Sequence, residues 1–505
     1  MRTFCTEGPV DPRYNYAVPR TGLLEVGLRK VDEWRYFTLF APRQSGKTTY
    51  FQMLIHQIQA KRANICPIWI TFEHYAAPPL DAFLRYFQSE LVQETGVQAP
   101  TVPDFLELPT FFQNLAQALQ KDIVLIIDEV EGLKQLEILN GFLHAIRSMY
   151  HKRERHHLRS VILVGVSNIT GILQDSASPF NIADQINIPY FTFEETRGLL
   201  LQHTHETGQV FEDDVIAAIH DNAAGQPGLI NAMARDLVEN RCAGAAVITL
   251  EKFYQTLDAF LRVYVNKNIA NVVNKAKQYP DIMKEILFNG PVSFSTYDDR
   301  ISFLSTNGVI TDEDGRCAIP VPVYKKCLYQ TFKPRFINDD EVRYYKDPFV
   351  DEAVFLDQDG FLDMERLIDK YAAYVRQRGN IIFSEDKAKE GVYHYNLDAF
   401  LASYAGVFGG WVFPEVPEGG GRVDLLVLQG KKRWIIEVKR FLNLRGFESG
   451  KHQLAAYLRR SGLNTGYYVV FSDVHPEPSK TRETVDGSEI LCWILPVKTP
   501  TPACL

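Results

Sequence analysis

The sequence lacks any apolar run long enough to cross a membrane, and it has no internal repeat or low-complexity tract. A membrane-spanning helix needs about 20 consecutive, mostly apolar residues. Residues 1–16, MRTFCTEGPVDPRYNY, also lack the basic and then apolar pattern of a secretory signal. We therefore expect a cytoplasmic protein without a membrane partner.

The sequence contains few cysteines and carries no excess of positive charge. Among the 505 residues, seven cysteines are scattered singly, without a CxxC pair or a Cys/His pair at zinc spacing. We therefore expect neither a disulfide framework nor a structural zinc site. The net charge of -8 at pH 7 argues against a protein that coats nucleic acid with its whole surface, but it leaves local basic patches open.

Short β-rich runs alternate with helical stretches in the first third of the chain. This alternation predicts an α/β fold in which crossover helices connect the strands of a parallel sheet. The predicted strands are 36–40, 67–72, 122–127 and 160–166, and the predicted helices are 48–62, 80–95, 105–120 and 135–150.

Residues 41–49, APRQSGKTT, lie between the first predicted strand and the first of these helices. They match the P-loop pattern G-x-x-x-x-G-K-[ST] except that Ala41 replaces the first glycine. The backbone N–H groups of such a loop cradle phosphates, while Lys47 meets the β/γ oxygens and Thr48 offers its hydroxyl to Mg²⁺. The pattern predicts ATP and Mg²⁺ as cofactors, bound by Arg43, Gln44, Ser45, Gly46, Lys47, Thr48 and Thr49.

A second aliphatic run, IVLIIDEVE at 123–131, ends in Asp128 and Glu129. Open α/β sheets bind ligands at the carboxyl ends of their strands. We expect Asp128 to hold Mg²⁺, largely through water, and Glu129 to polarise the attacking water. A helix N-cap would use the same two residue types, but the P-loop favours the catalytic interpretation.

Several further segments are similar to AAA-like ATPases of the STAND-related group, and the likeness covers roughly residues 4–335. VILVGVSN ends in Ser167 and Asn168, which resembles the sensor position of these ATPases, and AAGQPGLINAMA at 223–234 resembles the Gly-x-Pro motif of their lid. The resemblance implies that Asn168 and Pro227 contact the nucleotide, and we expect a homo-oligomer. The basic run HKRERHHLR at 151–159 is open to three interpretations: an arginine finger acting on a neighbouring subunit, a DNA contact, or a solvated loop.

Residues 421–441, GRVDLLVLQGKKRWIIEVKRF, predict a β-hairpin that turns at QGKK. Alternation places Glu437 and Lys439 on one face of their strand, and antiparallel pairing brings Asp424 alongside. Two adjacent carboxylates repel unless a cation lies between them, and their oxygens suit Mg²⁺ or Mn²⁺. Such a constellation cuts phosphodiester bonds, with Lys439 lowering the pKa of the attacking water or stabilising the phosphorane. Ordinary cross-strand ion pairs on a surface hairpin are the alternative.

This hairpin resembles the PD-(D/E)XK nuclease superfamily, with Asp424 in the Asp position and Glu437-Val438-Lys439 as the E-x-K element. KHQLAAYLRR at 451–460 is similar to the Q-x-x-x-Y helix of repair nucleases, which makes Gln453 a candidate catalytic residue beside Tyr457. The resemblance also makes Glu390 an extra metal ligand, with His394 nearby. The family's proline before the Asp is absent, because Val423 stands there.

Local charge fits a nucleic-acid partner, with DNA favoured over RNA. Residues 422–460, the basic island, hold ten Lys/Arg against three Asp/Glu. The acidic stretch at 337–369 precedes this island and is expected to mask it in one state. The expected organisation is a P-loop ATPase core at 1–192, a helical lid at 193–275, a winged helix at 276–336, an acidic linker at 337–370 and a nuclease domain at 371–505.

The preferred interpretation is an ATP-regulated, metal-dependent nuclease whose conditional cutting suits defence against phage or mobile DNA. A nucleotide-dependent signalling scaffold that binds nucleic acid without cutting it is the alternative. A third interpretation is an ATP-driven translocase in which the nuclease only trims. The sequence leaves endo- versus exonuclease action, the trigger and the sign of nucleotide regulation open.

Overall fold

The computed structural model describes residues 1–41, 45–75, 77–98, 102–165, 184–262, 264, 266–289, 291–332, 352–383, 390–418 and 421–497. The chain packs as two compact units. The first unit comprises Met1–Val210, Gly225–Val238 and Ser305–Gly308, and the second comprises Phe211–Ala224, Glu239–Leu304 and Val309–Leu505.

The first unit is built on a five-stranded parallel sheet with the order β2-β3-β4-β1-β5. Each of the four predicted strands and four predicted helices is present within a few residues of its expected bounds. The strands are β1 (Phe37–Phe40), β2 (Ile65–Thr71), β3 (Asp122–Asp128), β4 (Leu158–Gly165) and β5 (Asp184–Ile186). The helices are α1 (Thr21–Asp32), α2 (Lys47–Lys61), α3 (Leu80–Thr95), α4 (Leu108–Leu119), α5 (Leu136–Tyr150) and α6 (Arg153–His156).

Both faces of this sheet are covered by apolar side chains, as expected of a parallel sheet. One core collects aromatic residues from α3, α4 and α5, among them Phe83, Phe87 and Phe142. The core on the other face is formed by α1 and α2 and includes Phe51 and Leu54. The sheet is therefore packed between two apolar layers.

The segment expected to form a lid is helical, as predicted. Thr192 begins its first helix with a capping box, in which Thr192 and Glu195 each bind the other's backbone N–H. The helices are α7 (Phe193–Thr207), α8 (Asp213–Ala223), α9 (Pro227–Asp236), α10 (Leu250–Arg262) and α11 (Lys267–Ala276), and a π-helical turn, Leu237–Arg241, continues α9. The short strands β6 (Val210–Phe211) and β7 (Val247–Ile248) pair with each other.

The segment expected to form a winged helix contains a helix followed by a pair of short antiparallel strands. They are followed by one more helix that the sequence did not suggest. The elements are α12 (Pro280–Lys284), a π-helical turn (Glu285–Asn289), α13 (Asp299–Thr306), β8 (Thr311–Glu313), β9 (Arg316–Ala318) and α14 (Pro322–Phe332). A role for these elements in DNA binding remains a prediction.

The last part of the chain forms a six-stranded mixed sheet with the order β10-β11-β12-β13-β15-β14. α15 and α16 pack on one face through residues such as Tyr371, Phe400 and Val438, and α17 packs against the same central strands. The elements are α15 (Met364–Ile382), α16 (Glu390–Ala405), β10 (Gly410–Glu418), β11 (Gly421–Gln429), β12 (Lys432–Arg440), α17 (Leu444–Arg460), β13 (Thr465–Ser472), β14 (Ser479–Val485) and β15 (Ser488–Pro496). Helix α15 runs through residue 370, where the acidic linker was expected to end.

Helices of the second unit cover the edge strand β10. Both α8 and α14 pack against β10, and the ring of Tyr254 lies 5.1 Å from the ring of Phe413 on that strand. An uncovered edge would offer its unpaired backbone groups to other chains. The lid segment Phe211–Ala224 is thus part of the same packed body as the C-terminal sheet. Within the described residues, no helix combines the length and the apolar character that a membrane crossing requires.

Candidate functional sites

The chain turns sharply at Gly46 before it enters α2. Gly46 has a φ of 92°, a conformation that favours glycine. The buried ammonium of Lys47 donates to the carbonyl oxygen of Ala41 at 2.5 Å, and the buried hydroxyl of Ser45 has no hydrogen-bond partner among the described residues. A buried ammonium and an unsatisfied hydroxyl at the start of a helix fit an anionic ligand.

The other predicted residues of this loop are placed only in part. Thr48 is half-buried in the first turn of α2, and the Thr49 hydroxyl accepts a hydrogen bond from the backbone N–H of Val10 at 3.2 Å. The predicted contacts of Arg43 and Gln44 with nucleotide lie outside the described residues.

Asp128 ends β3 at the same edge of the sheet as the loop that follows β1, because the strands are parallel. Burial raises the pKa of the Asp128 carboxyl to about 6, although the Glu129 N–H, which donates to Asp128 Oδ1 at 2.9 Å, and the charge of Lys47 oppose the shift. A buried carboxyl that resists ionisation next to a phosphate-type loop fits a cation site, since a bound cation would stabilise its charge.

Glu129 adopts an unusual backbone conformation. Its φ of 50° and ψ of 46° lie in the left-handed region, which costs a non-glycine residue about 1–2 kcal/mol. Strain of this kind persists where the surrounding structure fixes it, and it clusters at functional sites. The backbone therefore sets the direction in which the Glu129 side chain leaves the sheet edge.

A small cavity of about 50 Å³ adjoins the loop. This volume is below the range of small-molecule sites, but the walls are predominantly apolar, which suits contact with the base of a nucleotide. The lining includes Val10, Tyr16, Val18, Met53, Leu199 and Pro227, with Ser45, Gly46 and Thr49 at the loop. Pro227 lines this cavity, and its contact with the nucleotide remains a prediction.

The N-terminal segment is fastened to α7 and α9 beside this cavity. The Cys5 N–H donates to Asn231 Oδ1 at 3.2 Å, and the Tyr16 hydroxyl lies 3.1 Å from His203 Nδ1. His203 Nε2 lies 2.9 Å from Gln209 Oε1, an acceptor, so Nε2 carries the proton and Nδ1 accepts from Tyr16. Sequence reasoning missed these side chains, because the only signal was the similarity of the whole segment to other ATPases.

The Gly-x-Pro segment owes its shape to a close backbone approach. Gly225 has a φ of 75°, and a Cβ at this position would lie 2.1 Å from the carbonyl oxygen of Phe191. The Phe191 N–H donates to the Gly225 carbonyl at 2.8 Å, and the Gln226 side chain caps α9 through the Leu229 N–H. Glycine is therefore required at position 225, and the proline that follows starts α9 at the wall of the cavity.

Two other sequence expectations have different outcomes. The sensor candidates Ser167 and Asn168 lie outside the described residues. In the basic run, Arg159 donates to the carbonyls of Val31 and Asp32 at 2.9 and 3.0 Å, and Arg153 donates to the carbonyl of Tyr150 at 2.8 Å. Both side chains therefore bind the protein's own backbone. Exposed members of the run, such as Arg155, are the candidates for an arginine finger or a DNA contact.

The second site lies where strands β11 and β12 separate. Their ladder pairs Gln429 with Lys432 at the turn and ends at Leu425 and Ile436. Beyond that pair, the Val438 N–H donates a hydrogen bond to the side chain of Asp424 instead of to the backbone of β11. The distance from this N–H nitrogen to Asp424 Oδ2 is 2.8 Å. The predicted hairpin is present, and its open end carries the polar residues.

The structure brings the three predicted side chains together. Lys439 Nζ lies 3.5 Å from Asp424 Oδ2 and 3.1 Å from Glu437 Oε1. The Glu437 side chain is fully buried, and within the described part of the chain neither of its oxygens accepts a hydrogen bond of acceptable geometry. An ordinary surface ion pair does not bury a carboxylate in this way.

His394 on α16 completes the contacts around Asp424. Its Nε2 lies 3.3 Å from Asp424 Oδ2 and 3.3 Å from the carbonyl oxygen of Val438. The sequence predicted only that His394 lies near Glu390, one helical turn away, and did not predict its contact with Asp424. Glu390 begins α16, but its side chain lies outside the described residues.

The two carboxyls have opposite pKa shifts. Burial opposes ionisation of Asp424, but His394, Lys439 and the Val438 N–H outweigh it and hold the Asp424 pKa well below its ordinary value. Burial and the nearby charge of Asp424 raise the pKa of Glu437, with Lys439 acting against the shift. Glu437 therefore resists ionisation beside the charged Asp424, and a divalent cation between the two carboxyls would favour its ionised form.

No group of three His, Cys, Asp or Glu side chains among the described residues is arranged as a complete metal site. A cation held by Asp424 and Glu437 would keep several water ligands, which is the habit of Mg²⁺. The buried carboxylate of Glu437 and the hard-oxygen donor set fit Mg²⁺ or Mn²⁺.

Gln453 is placed on α17, as predicted, but it faces solvent. Within the described residues its amide has one partner, the Tyr457 hydroxyl, to which it donates at 2.9 Å. The predicted pairing of the two residues on one helix face is present, while a catalytic role for Gln453 remains a prediction.

The acidic segment is attached to the hairpin at its turn. Asp357 accepts a hydrogen bond from Lys432 Nζ at 2.9 Å, and this ammonium lies 4.2 Å from the centre of the Phe361 ring. Lys432 belongs to the basic island but is five residues along the strand from Glu437, a span of about 17 Å. The described part of the acidic segment thus binds the end of the hairpin remote from the carboxylates.

The parallel sheet, the glycine turn before α2 and the acidic pair after β3 define a P-loop nucleotide-binding fold. The chain belongs to the family described as AAA-like domain, which matches residues 35–330 and hence more than half of its length. Residues 363–475 match a second family, described as a domain of unknown function (DUF8371).

Several solved structures are similar to part of the chain. The Walker-type ATPase PABY2304 of Pyrococcus abyssi is 14% identical with a TM-score of 0.48, covering 64% of this chain and 99% of its own. The ORC1 protein of Aeropyrum pernix, solved in complex with DNA, is 14% identical with a TM-score of 0.36, covering 62% of this chain and 92% of its own. The RuvB Holliday junction branch migration motor of Thermotoga maritima is 14% identical with a TM-score of 0.35, covering 63% and 96%. No curated protein matches the chain.

Proposed function

We propose that the protein is an ATP-binding and ATP-hydrolysing AAA-like protein that carries a metal-dependent DNA nuclease in its C-terminal domain. The observation that carries the nuclease assignment is the burial of the Glu437 carboxylate beside two charged groups: Lys439 Nζ lies 3.1 Å from Glu437 Oε1, and Asp424 lies across the open strand end. A fold that needed only stability would place an apolar residue at position 437.

At the nucleotide site, Lys47 would exchange the Ala41 carbonyl for phosphate oxygens, and the Ser45 hydroxyl would gain a partner. Thr48 and Asp128 would hold Mg²⁺, and Glu129 would orient and deprotonate the attacking water. The apolar lining beside the loop, Pro227 included, would contact the base of the nucleotide.

At the carboxylate site, Asp424 and Glu437 would hold Mg²⁺ or Mn²⁺, with Glu390 as a further candidate ligand. The cation supplies Lewis-acid stabilisation of charge at the phosphoryl oxygens. Lys439 lies within hydrogen-bond reach of both carboxylates, so it can orient water for attack and stabilise the charge that develops at phosphorus. Asp424, in turn, is fixed by the Val438 N–H and His394.

Cleavage of DNA by the Lys439→Ala variant tests this proposal. We expect the wild type to nick plasmid or degrade linear DNA with Mg²⁺ or Mn²⁺, and the variant to lose at least about a hundredfold in rate, since one electrostatic donor contributes that much. Lys480→Ala is the matched control, because Lys480 lies on the edge strand β14 and pairs with Glu365 and Asp369. Nucleic-acid binding without cleavage by the wild type would instead support a signalling scaffold.

Conditional cutting of this kind would suit defence against phage or other mobile DNA. That role, the DNA preference and self-assembly into a homo-oligomer are parts of the proposal. Substrate panels that include RNA and single-stranded DNA, together with the sedimentation behaviour of the protein with ATP, test them.

A further inference from the structure

Two exposed leucines follow the strand that carries the carboxylate site. Leu442 and Leu444 are 76% and 72% exposed. They flank Asn443, whose side chain caps α17 by accepting a hydrogen bond from the Gly446 N–H at 2.8 Å. A single exposed leucine needs no explanation, but two on either side of a helix cap form a local apolar projection.

The base of this projection is rigid. The Phe441 N–H donates to the Phe471 carbonyl at 2.7 Å, which prolongs the contact between β12 and β13. The Phe441 ring lies 4.6 Å from the His475 ring and 5.9 Å from the Phe447 ring. The exposure of the leucines is therefore imposed by an anchored backbone and does not result from a loosely packed loop.

The projection is close to the proposed cleavage site. Leu442 is the third residue after Lys439, so their Cα atoms are separated by at most about 11 Å. Successive nucleotides of a stacked strand are about 3.4 Å apart, so the leucines lie within roughly three nucleotides of the bond to be cut.

The charges around the leucines suit a phosphate backbone. Arg445 is exposed and has no ion-pair or hydrogen-bond partner within the described ranges, and the N-terminus of α17 adds a partial positive charge. The nearest acid on α17, Glu448, is paired with Lys451 at 3.1 Å. An occupant with both apolar faces and negative charge, namely a nucleic-acid strand with unstacked bases, matches this combination.

We propose that Leu442 and Leu444 form an apolar wedge that enters the base stack beside the cleavage site. The wedge rests on the proposed nuclease function and deepens it by naming the substrate class: DNA with separated strands, such as splayed ends, flaps or gaps. Apolar side chains unstack neighbouring bases in this way in other DNA-binding proteins, and the unstacking costs free energy. DNA that is already unstacked avoids that cost and is therefore preferred over intact duplex.

Binding of a fluorescent DNA by the Leu442→Ser/Leu444→Ser double variant tests the wedge. The probes are a splayed duplex and a blunt duplex of the same sequence with 2-aminopurine near the junction, used in EDTA so that cleavage does not interfere. We expect the wild type to bind the splayed form at least about fivefold more tightly, with rising fluorescence, and the double variant to lose both effects. Leu106→Ser is the matched control, because Leu106 is 84% exposed and lies in the other unit.

The outcomes separate the wedge from the nuclease assignment. Lys439→Ala should keep the preference and the fluorescence change while losing cleavage. An unchanged preference in the double variant overturns the wedge and leaves the nuclease standing. A wild-type dimer that the double variant dissociates also overturns it, because the leucines would then be an interface between copies of the chain.

Discussion

At the scale of single residues, Glu437 determines how the C-terminal hairpin is interpreted. Its burial and its proximity to Asp424 both disfavour a negative charge, which is why its pKa is raised. Glu437→Gln keeps the shape of the side chain and removes this unfavourable charge. We expect the variant to melt at a higher temperature than wild type at pH 7.5 in EDTA.

Divalent metal should reverse that order. Mn²⁺ should raise the melting temperature of the wild type because it binds the folded form, and it should have little effect on Glu437→Gln. Glu477→Gln, an exposed acid in the same domain, is the control for general charge effects. A wild type that Mn²⁺ does not stabilise would contradict a metal site at Asp424 and Glu437.

Alternation along two strands was enough to predict that Asp424, Glu437 and Lys439 come together. The contact of His394 with Asp424 could not be predicted in the same way, because it depends on how α16 crosses the sheet. The same holds for Tyr16 and His203, which are far apart in sequence and meet only through packing.

At the scale of elements, Gly225 provides a test of the lid. Gly225→Ala should lower both the melting temperature and the affinity for ATP, because the new Cβ would collide with the Phe191 carbonyl and displace the start of α9. Gly208→Ala is the control: its φ of 78° imposes similar backbone strain, but nothing lies within 4 Å of the new Cβ. We expect a cost of about 1 kcal/mol at Gly208 and clearly more at Gly225. Equal effects of the two substitutions would show that the Phe191 contact is unimportant.

Strand β5 gives a prediction for pH. Asp184 binds Arg35 at 2.9 Å and Lys30 at 2.8 Å, and the hydrogen bond from Arg35, with Lys30 and against burial, lowers its pKa to about 2. Because the folded pKa lies below the unfolded value, the stabilisation is present above about pH 4 and is lost as the pH falls towards 2. Allowing for solvent screening, Asp184→Asn should cost about 1 kcal/mol at pH 7 and much less near pH 2.

Thermal unfolding across this pH range measures the Asp184 contribution. Asp81→Asn is the control, because Asp81 and Arg85 form an exposed pair one helical turn apart. Such pairs contribute little, so this variant should track wild type at every pH. A constant difference between Asp184→Asn and wild type down to pH 2 would mean that the carboxylate charge is not the cause.

Four strands of the first sheet, including its edge strand β2, and the hairpin β11–β12 could be predicted from the sequence, because they are apolar and bounded by turns. The edge strands β5, β10 and β14 and the central strand β15 were not predicted. Strand β10 contains Pro414 and Pro417, which are tolerated at a sheet edge but argue against a strand in the sequence. Strand β14, SKTRETV, is polar and largely exposed, so it carries no apolar periodicity.

At the scale of the whole molecule, the proposed function predicts that nucleotide state gates the nuclease. A freely active nuclease would damage its own cell, and DNA hydrolysis does not itself need a nucleotide site. We expect cleavage rates with and without a non-hydrolysable ATP analogue to differ at least about tenfold, which corresponds to ~1.4 kcal/mol. The comparison is made at matched free Mg²⁺.

Variants of α2 serve as controls for gating. Lys47→Ala should abolish the response to nucleotide, whereas Lys61→Ala at the exposed end of the same helix should retain it. Neutralising acids of the 337–369 segment, such as Asp347, Asp351, Glu352, Asp357 and Asp359, should shrink the difference if that segment masks the basic island. Equal rates with and without nucleotide would mean that the two activities merely share a chain.

The packing of α8, Tyr254 and α14 against β10 has a consequence for biosynthesis. These elements from the lid and winged-helix segments are synthesised well before β10, so their apolar faces stay uncovered until the C-terminal sheet has formed. If synthesis terminates early, the incomplete chain therefore keeps these apolar faces exposed to solvent. Chaperones and proteases recognise such a product. Incomplete fragments, in which one activity is no longer controlled by the other, would thus be removed from the cell.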